Sequence, residues 1–186
     1  MIFKGKLNYE KQISGILKKY NKKNKPNDYA GKIIYLKHSI NSILDYFQFI
    51  KGIILEEGGI LSHVAIVSRE FNIPSIIGIN VNDLFLEEAH VKLQKNKLIF
   101  TTENYLVPSK NFVKLFKKEK NYYLIYKDTK KIVLDKDSFG LIKDLQKYKL
   151  KEIYKKFGNG VGKFTDRLVT DKIFCFSTTK TQIPYN

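Results

Sequence analysis

A chain of 186 residues that is 43% hydrophobic is long enough to bury a core in one or two small domains. Its single cysteine, Cys175, excludes an internal disulfide, and no apolar run reaches the roughly 18–20 residues of a membrane helix. The formal charge of +16 rests almost wholly on lysine, with Arg69 and Arg167 the two arginines. That bias reads as a solvated surface and disfavours a nucleic-acid interface, because base recognition favours arginine.

In chain order, the N-terminus lacks a hydrophobic signal region, so a cytoplasmic protein without a membrane anchor is expected. Residues 8–20 are predicted as a helix with Ile13, Ile16 and Leu17 on one side. Lys18 to Asp28 is polar and lysine-rich and reads as a solvated connector ending near Pro26. A strand over 31–36 and a helix over 41–49 follow, the helix presenting Ile43, Leu44, Phe47 and Ile50. Gly52-Ile53-Ile54-Leu55 is a short buried strand.

The most informative stretch comes next. Gly58 and Gly59 permit a tight turn and close approach of other atoms to the backbone. Ser62 is a good N-cap, which puts His63 in the first turn of the following helix. An imidazole beside a helix N-terminus, on a glycine-rich loop, is well placed to carry a phosphoryl group. Val64, Val67 and Phe71 recur at helical spacing and are predicted to pack on a sheet. Asn72 suits a left-handed C-cap, Pro74 stops the helix, and Ser75–Ile79 is a second buried strand. Strand, helix and strand within about thirty residues predict a right-handed parallel crossover.

Gly58, Gly59, Ser62, His63, Ala65, Ile66, Val67, Arg69, Glu70, Ile73, Pro74 and Gly78 fall in register with a known pattern. The segment resembles the phosphohistidine swivelling (mobile) domain of the phosphoenolpyruvate-utilising enzymes. Leu61 stands where the pyruvate enzymes of that family usually have threonine, and looks more like the rifampin phosphotransferase branch. A second departure is the hairpin after it, where Ala89-His90-Val91 and Gln94-Lys95-Asn96-Lys97 replace the family's glycine-rich turn. The resemblance implies an α/β, swivelling β/β/α domain over residues 31–104, with His63 catalytic and Gly58, Gly59, Ser62 and Arg69 at the phosphate. It further implies ATP and Mg²⁺ on a separate ATP-grasp protein or domain, with no cofactor bound by this chain. The chain is too short to hold such a domain as well, and it has no Walker-type loop or paired acidic cluster.

Of the other histidines, His38 ends a strand, with nothing in its spacing that ties it to the site, and His90 is expected to be exposed. None of the three has metal-ligand spacing, so no protein-bound metal is expected.

Residues 1–30 form the predicted N-terminal helix and connector, and 105–186 a small basic C-terminal α+β region. Tyr122–Tyr126 and Lys131–Leu134 flank Lys127-Asp128-Thr129-Lys130, a hairpin signal. Asp137-Ser138 is placed to cap a helix through Leu145, and a shorter helix runs from 149 to Phe157, ended by Gly158. Gly158–Lys163 lacks the preceding strand and following hydroxyl residue of a phosphate loop and reads as a turn. By layout alone, hairpin then helices, this region resembles the small peptide-binding domains of PqqD-like type. Splitting at 104/105 gives 15 − 10 = +5 before and 19 − 8 = +11 after, which suggests a peptide or acidic protein partner for the second part. Three functions stay open at this point: a phosphoryl carrier within a split phosphotransferase, a non-catalytic interaction module on the same fold, or lysine-driven nucleic-acid binding.

Overall fold

The computed structural model describes residues 1–127 and 130–180. They form two compact units, Met1–Asn82 with Glu87–Thr101, and Asp83–Leu86 with the residues from Thr102 on.

The first unit is built on one eight-stranded sheet. Its elements are β1 (Ile2–Lys4), β2 (Lys6–Tyr9), β3 (Ile13–Lys19), β4 (Ile33–Leu36), β5 (Gly52–Leu55), α1 (His63–Glu70), β6 (Ser75–Ile77), β7 (Glu88–Gln94) and β8 (Lys97–Phe100). The strand order is β1-β8-β7-β3-β4-β5-β6-β2. β3, β4, β5 and β6 are mutually parallel, and the remaining pairs are antiparallel. β4 and β5 are buried along their whole length, as expected for parallel strands covered on both faces.

The helix predicted over 8–20 is instead strand. Ile13, Ile16 and Leu17 fit a helical stripe, but Gly15 and the β-branched isoleucines weaken a helix. Pairing of β3 with both β7 and β4 decides the matter. β1 and β2 are separated by Gly5 alone, yet they occupy opposite edges of the sheet, so the N-terminal segment joins the two edges. Joining them removes the open edges that invite non-native pairing. A Cβ on Gly5 would lie 2.6 Å from both Ile76 Cγ2 and Ile79 Cγ1 and 2.7 Å from the Ile77 carbonyl. Gly5→Ala is therefore expected to cost about 1–3 kcal/mol, read as a lowered thermal midpoint.

Within residues 18–30, Lys22, Lys23, Lys25, Asn27 and Asp28 are exposed, as expected of a solvated connector, but the segment is anchored: a 3₁₀ turn at Pro26–Tyr29 buries Tyr29 completely. The Tyr29 hydroxyl accepts from the Asn21 amide at 2.7 Å, and its ring meets that of Tyr46 edge-on at 5.5 Å. The predicted helix over 41–49 is a 3₁₀ turn, Asn41–Tyr46. It buries Ile43, with Tyr46, Phe47 and Ile50 beside it, while Leu44 points outward.

Glu88 on β7 sits 2.8 Å from Lys32 Nζ and 3.3 Å from Lys18 Nζ. Burial alone would raise this carboxyl, but hydrogen bonds from the two lysines outweigh it and hold it below the ordinary carboxylate range. The stability it contributes is present above about pH 4.3 and is lost as pH falls through the depressed value. Glu88→Gln should flatten the acid limb of a urea-unfolding pH series.

In the second unit, β9 (Tyr105–Pro108) pairs antiparallel with β13 (Phe174–Ser177). A three-stranded meander comprises β10 (Phe112–Lys118), β11 (Asn121–Tyr126) and β12 (Lys130–Leu134). The central residues of its second turn, Asp128 and Thr129, lie outside the described residues. Three helices follow: α2 (Lys136–Leu145), α3 (Leu150–Phe157) and α4 (Gly162–Thr170). Asp135, rather than Asp137, caps α2 by accepting from the Ser138 amide at 2.7 Å. Gly158, at φ +76°, follows the end of α3. Gly162 and Lys163 open α4, so the glycine run leads into a helix that its composition concealed. Cys175 is buried in β13 between Phe174 and Phe176. No helix among the described residues is long and apolar enough to cross a membrane.

Counted by these units, the charge is 15 − 8 = +7 in the first and 19 − 10 = +9 in the second. The asymmetry seen on cutting at residue 104 largely disappears. Asp83 and Glu103 both belong to the second unit, where each pairs with lysine.

Candidate functional site

The candidate site is the connection from β5 to α1. β4 and β5 extend their parallel pairing beyond Leu55, with the Glu56 and Glu57 amides donating to the Leu36 and Lys37 carbonyls, each at 2.9 Å. The chain then reverses at Gly58, whose φ is +143°, a conformation open to glycine and strained for other residues. A Cβ there would also lie 3.0 Å from Leu55 Cδ2. The Ser62 amide closes the turn on the Gly59 carbonyl at 3.0 Å, and the Ile66 amide donates to Ser62 O at 3.0 Å to start α1.

His63 is the first residue of α1 and is exposed. Ser62 holds the extended backbone of an N-cap, but its side chain makes no capping bond. Its Oγ is buried and unpartnered among the described residues. The amide of Val64 instead donates to Ser39 Oγ, at a long 3.4 Å. The site thus offers an imidazole, a buried hydroxyl and backbone amides at the positive end of a helix dipole.

α1 buries Val64, Ala65, Val67 and Ser68. Phe71, expected against the sheet, is 61% exposed and meets Phe47 in an edge-to-face pair, at 5.4 Å between ring centroids. Asn72 has φ +55°, the left-handed turn foreseen after the helix.

Arg69, assigned above to the phosphate, points its Nη1 at the loop itself. It donates to the Ile60 carbonyl at 2.9 Å and to Asn8 Oδ1. Asn8 Nδ2 in turn lies 2.8 Å from Ala65 O, 2.9 Å from Ser68 Oγ and 2.7 Å from Ser75 Oγ. This partly buried polar network ties β2, α1 and β6 to the glycine loop. Sequence reasoning missed it, because Asn8 fell in a segment read as the start of a helix. Arg69→Lys keeps the charge but loses the planar fork. It is expected to lower the thermal midpoint by a few degrees and to broaden the amide resonances of residues 59–62.

Of the other histidines, His38 comes to the same edge, its Nδ1 2.9 Å from Glu57 Oε2. His90, expected to be exposed, is half-buried on β7 opposite Ile16. Among the described residues no group of three or more His, Cys, Asp or Glu is arranged to hold a metal ion.

Residues 29–96 match the family described as PEP-utilising enzyme, mobile domain. The match takes in β4, β5, the glycine loop, α1, β6 and β7, and ends in the turn before β8. Over 48 residues the chain is also 42% identical to a protein of Bacillus subtilis (strain 168) named "Uncharacterized phosphotransferase YvkC". That alignment covers 26% of this chain and 6% of the relative.

Proposed function

We propose that the first unit is a phosphoryl carrier and that His63 holds the phosphoryl group. The observation that carries this reading is the exposed imidazole on the first turn of α1, beside a buried hydroxyl that lacks a partner among the described residues. A hydroxyl in this place is a fitting donor to a phosphoryl oxygen. The match to a mobile domain and the partial likeness to a protein named a phosphotransferase support the same reading.

In the proposed step, the lone pair of one neutral His63 ring nitrogen attacks a phosphorus of the ATP phosphate chain. The N–P bond forms as the P–O bond to the bridging oxygen of the leaving group breaks, and the rest of the nucleotide leaves with that oxygen. Mg²⁺ and ATP are held by a separate ATP-grasp protein or domain, and the Leu61 variant favours ATP over phosphoenolpyruvate as donor. The amides of Gly58, Gly59 and the helix start, with the Ser62 hydroxyl, meet the phosphoryl oxygens. Arg69 serves the anion indirectly, by fixing the Ile60 carbonyl and so the direction of the loop amides. The phosphoryl then passes to an acceptor and His63 returns to its neutral form.

For the second unit we keep the PqqD-like reading of a peptide-binding module, which rests on its meander-then-helices layout. The charge count by unit lends it no additional weight.

The test is incubation of the chain with labelled ATP, Mg²⁺ and a candidate ATP-grasp protein. Acid-labile, base-stable label on this chain is the expected result. Label that resists acid, or none at all on a chain whose amide spectrum is that of a folded protein, would remove the carrier reading.

A further inference from the structure

A second feature lies at the same edge of the sheet. At the carboxyl ends of β3 and β4 is a cavity of about 230 Å³, lined by Lys19, Tyr20, Tyr35, Leu36, Lys37, His38, Ile40 and Asn82. The cavity lies just beyond the last paired residues of these two parallel strands. Lys19, Lys37 and His38 are among its lining, and no acidic residue is. Tyr20, Leu36 and Ile40 supply an apolar wall, while the Tyr35 hydroxyl is turned to the Glu56 carboxylate. Burial and that carboxylate push the Tyr35 hydroxyl far up, so it stays a neutral donor. Apolar walls with a few convergent polar groups are the usual make-up of a small-molecule site.

The rim of the cavity also touches the loop that carries His63. His38 meets Glu57, next to Gly58, and Ser39, between two lining residues, accepts from the amide of Val64, next to His63. An anion that drew the His38 imidazole inward would compete with Glu57 for it and shift this rim.

We propose that this cavity binds a small organic anion carrying a ring or a short apolar group, and that its occupancy is passed to the His63 loop through His38 and Ser39. The site goes beyond the carrier reading and stands without it, because nothing in the binding step needs His63 to be phosphorylated.

The test is a ¹H–¹⁵N NMR titration of the full chain with phenyl phosphate, which joins a dianion to a ring. Inorganic phosphate and benzoate serve as probes of the two halves. Phenyl phosphate should give saturable shifts at Lys37, His38 and Ile40 and smaller ones at Val64, and should bind more tightly than either simpler probe. Lys37→Gln, at an exposed position, should weaken it about tenfold, the worth of one charge-assisted contact. Absence of saturable shifts at these residues would overturn the proposal, as would equal affinity in Lys37→Gln. Shifts confined to the cavity that never reach Val64 would overturn the coupling to His63.

Discussion

His63→Ala is expected to abolish phosphoryl incorporation while leaving the fold intact. The imidazole is exposed at the start of α1 and makes no hydrogen bond or ion pair with the described residues. Its removal should therefore change stability by less than about 0.5 kcal/mol, as for most surface substitutions away from special features. The chemical loss should be complete, because no other group of the glycine loop supplies a nitrogen nucleophile. His38 is the nearest alternative in the chain's architecture, but its Nδ1 is engaged by Glu57. His38→Ala should accordingly keep acid-labile labelling. Amide spectra of the His63 variant that match the parent, with labelling at background, would fix the effect on chemistry rather than folding.

The second large effect is expected at Gly58. A side chain there meets two separate obstacles. The backbone φ of +143° is one that L-residues rarely adopt, and a Cβ would press on Leu55 Cδ2 at 3.0 Å. Gly58→Val must either carry strain on the order of 1–3 kcal/mol or relax the turn between β5 and α1. Relaxation moves the loop amides and Ser62 relative to His63, and a displacement of about 1 Å in such a site can cost roughly a hundredfold in rate. The expected result is a phosphorylation rate reduced by about that factor, with a smaller loss of thermal stability. Gly59→Ala provides the contrast. Gly59 has no positive φ, and a Cβ there would meet its nearest neighbour at 3.9 Å, so the substitution should be mild.

The parts of the first unit legible in the sequence are those held by neighbours close along the chain. β5, α1 and β6 lie within a short stretch, with Gly58 at the entry turn and Asn72 and Pro74 at the exit. Those punctuating residues act locally, so they can be read locally. β1 and β2 illustrate the opposite case. Ile2 pairs with Ile99 and Lys6 with Ile77, so their strand state is decided by partners far away in the chain. The same holds for Asn8. Its role as the link between Arg69, Ser68 and Ser75 exists only once β2 lies beside β6.

The second unit repeats the lesson. The β11–β12 hairpin and α2 carry strong local signals, whereas α4 hides behind Gly158, Gly160 and Gly162. Its Leu168 and Val169 are buried, which indicates tertiary packing rather than propensity as what holds it. Phe85 and Leu86 are drawn to β13, where the Leu86 amide donates to Phe176 O at 2.9 Å. No composition change around residues 83–86 announces that excursion.

The most direct measurement is site mapping of the phosphoryl group by tandem mass spectrometry at alkaline pH, after incubation with ATP, Mg²⁺ and the ATP-grasp protein. The predicted result is a single added phosphoryl group on the peptide that contains His63, localised to that residue and lost on mild acid treatment. A phosphoryl group on His38, His90 or a hydroxyl side chain, with His63 unmodified, would contradict carriage by His63.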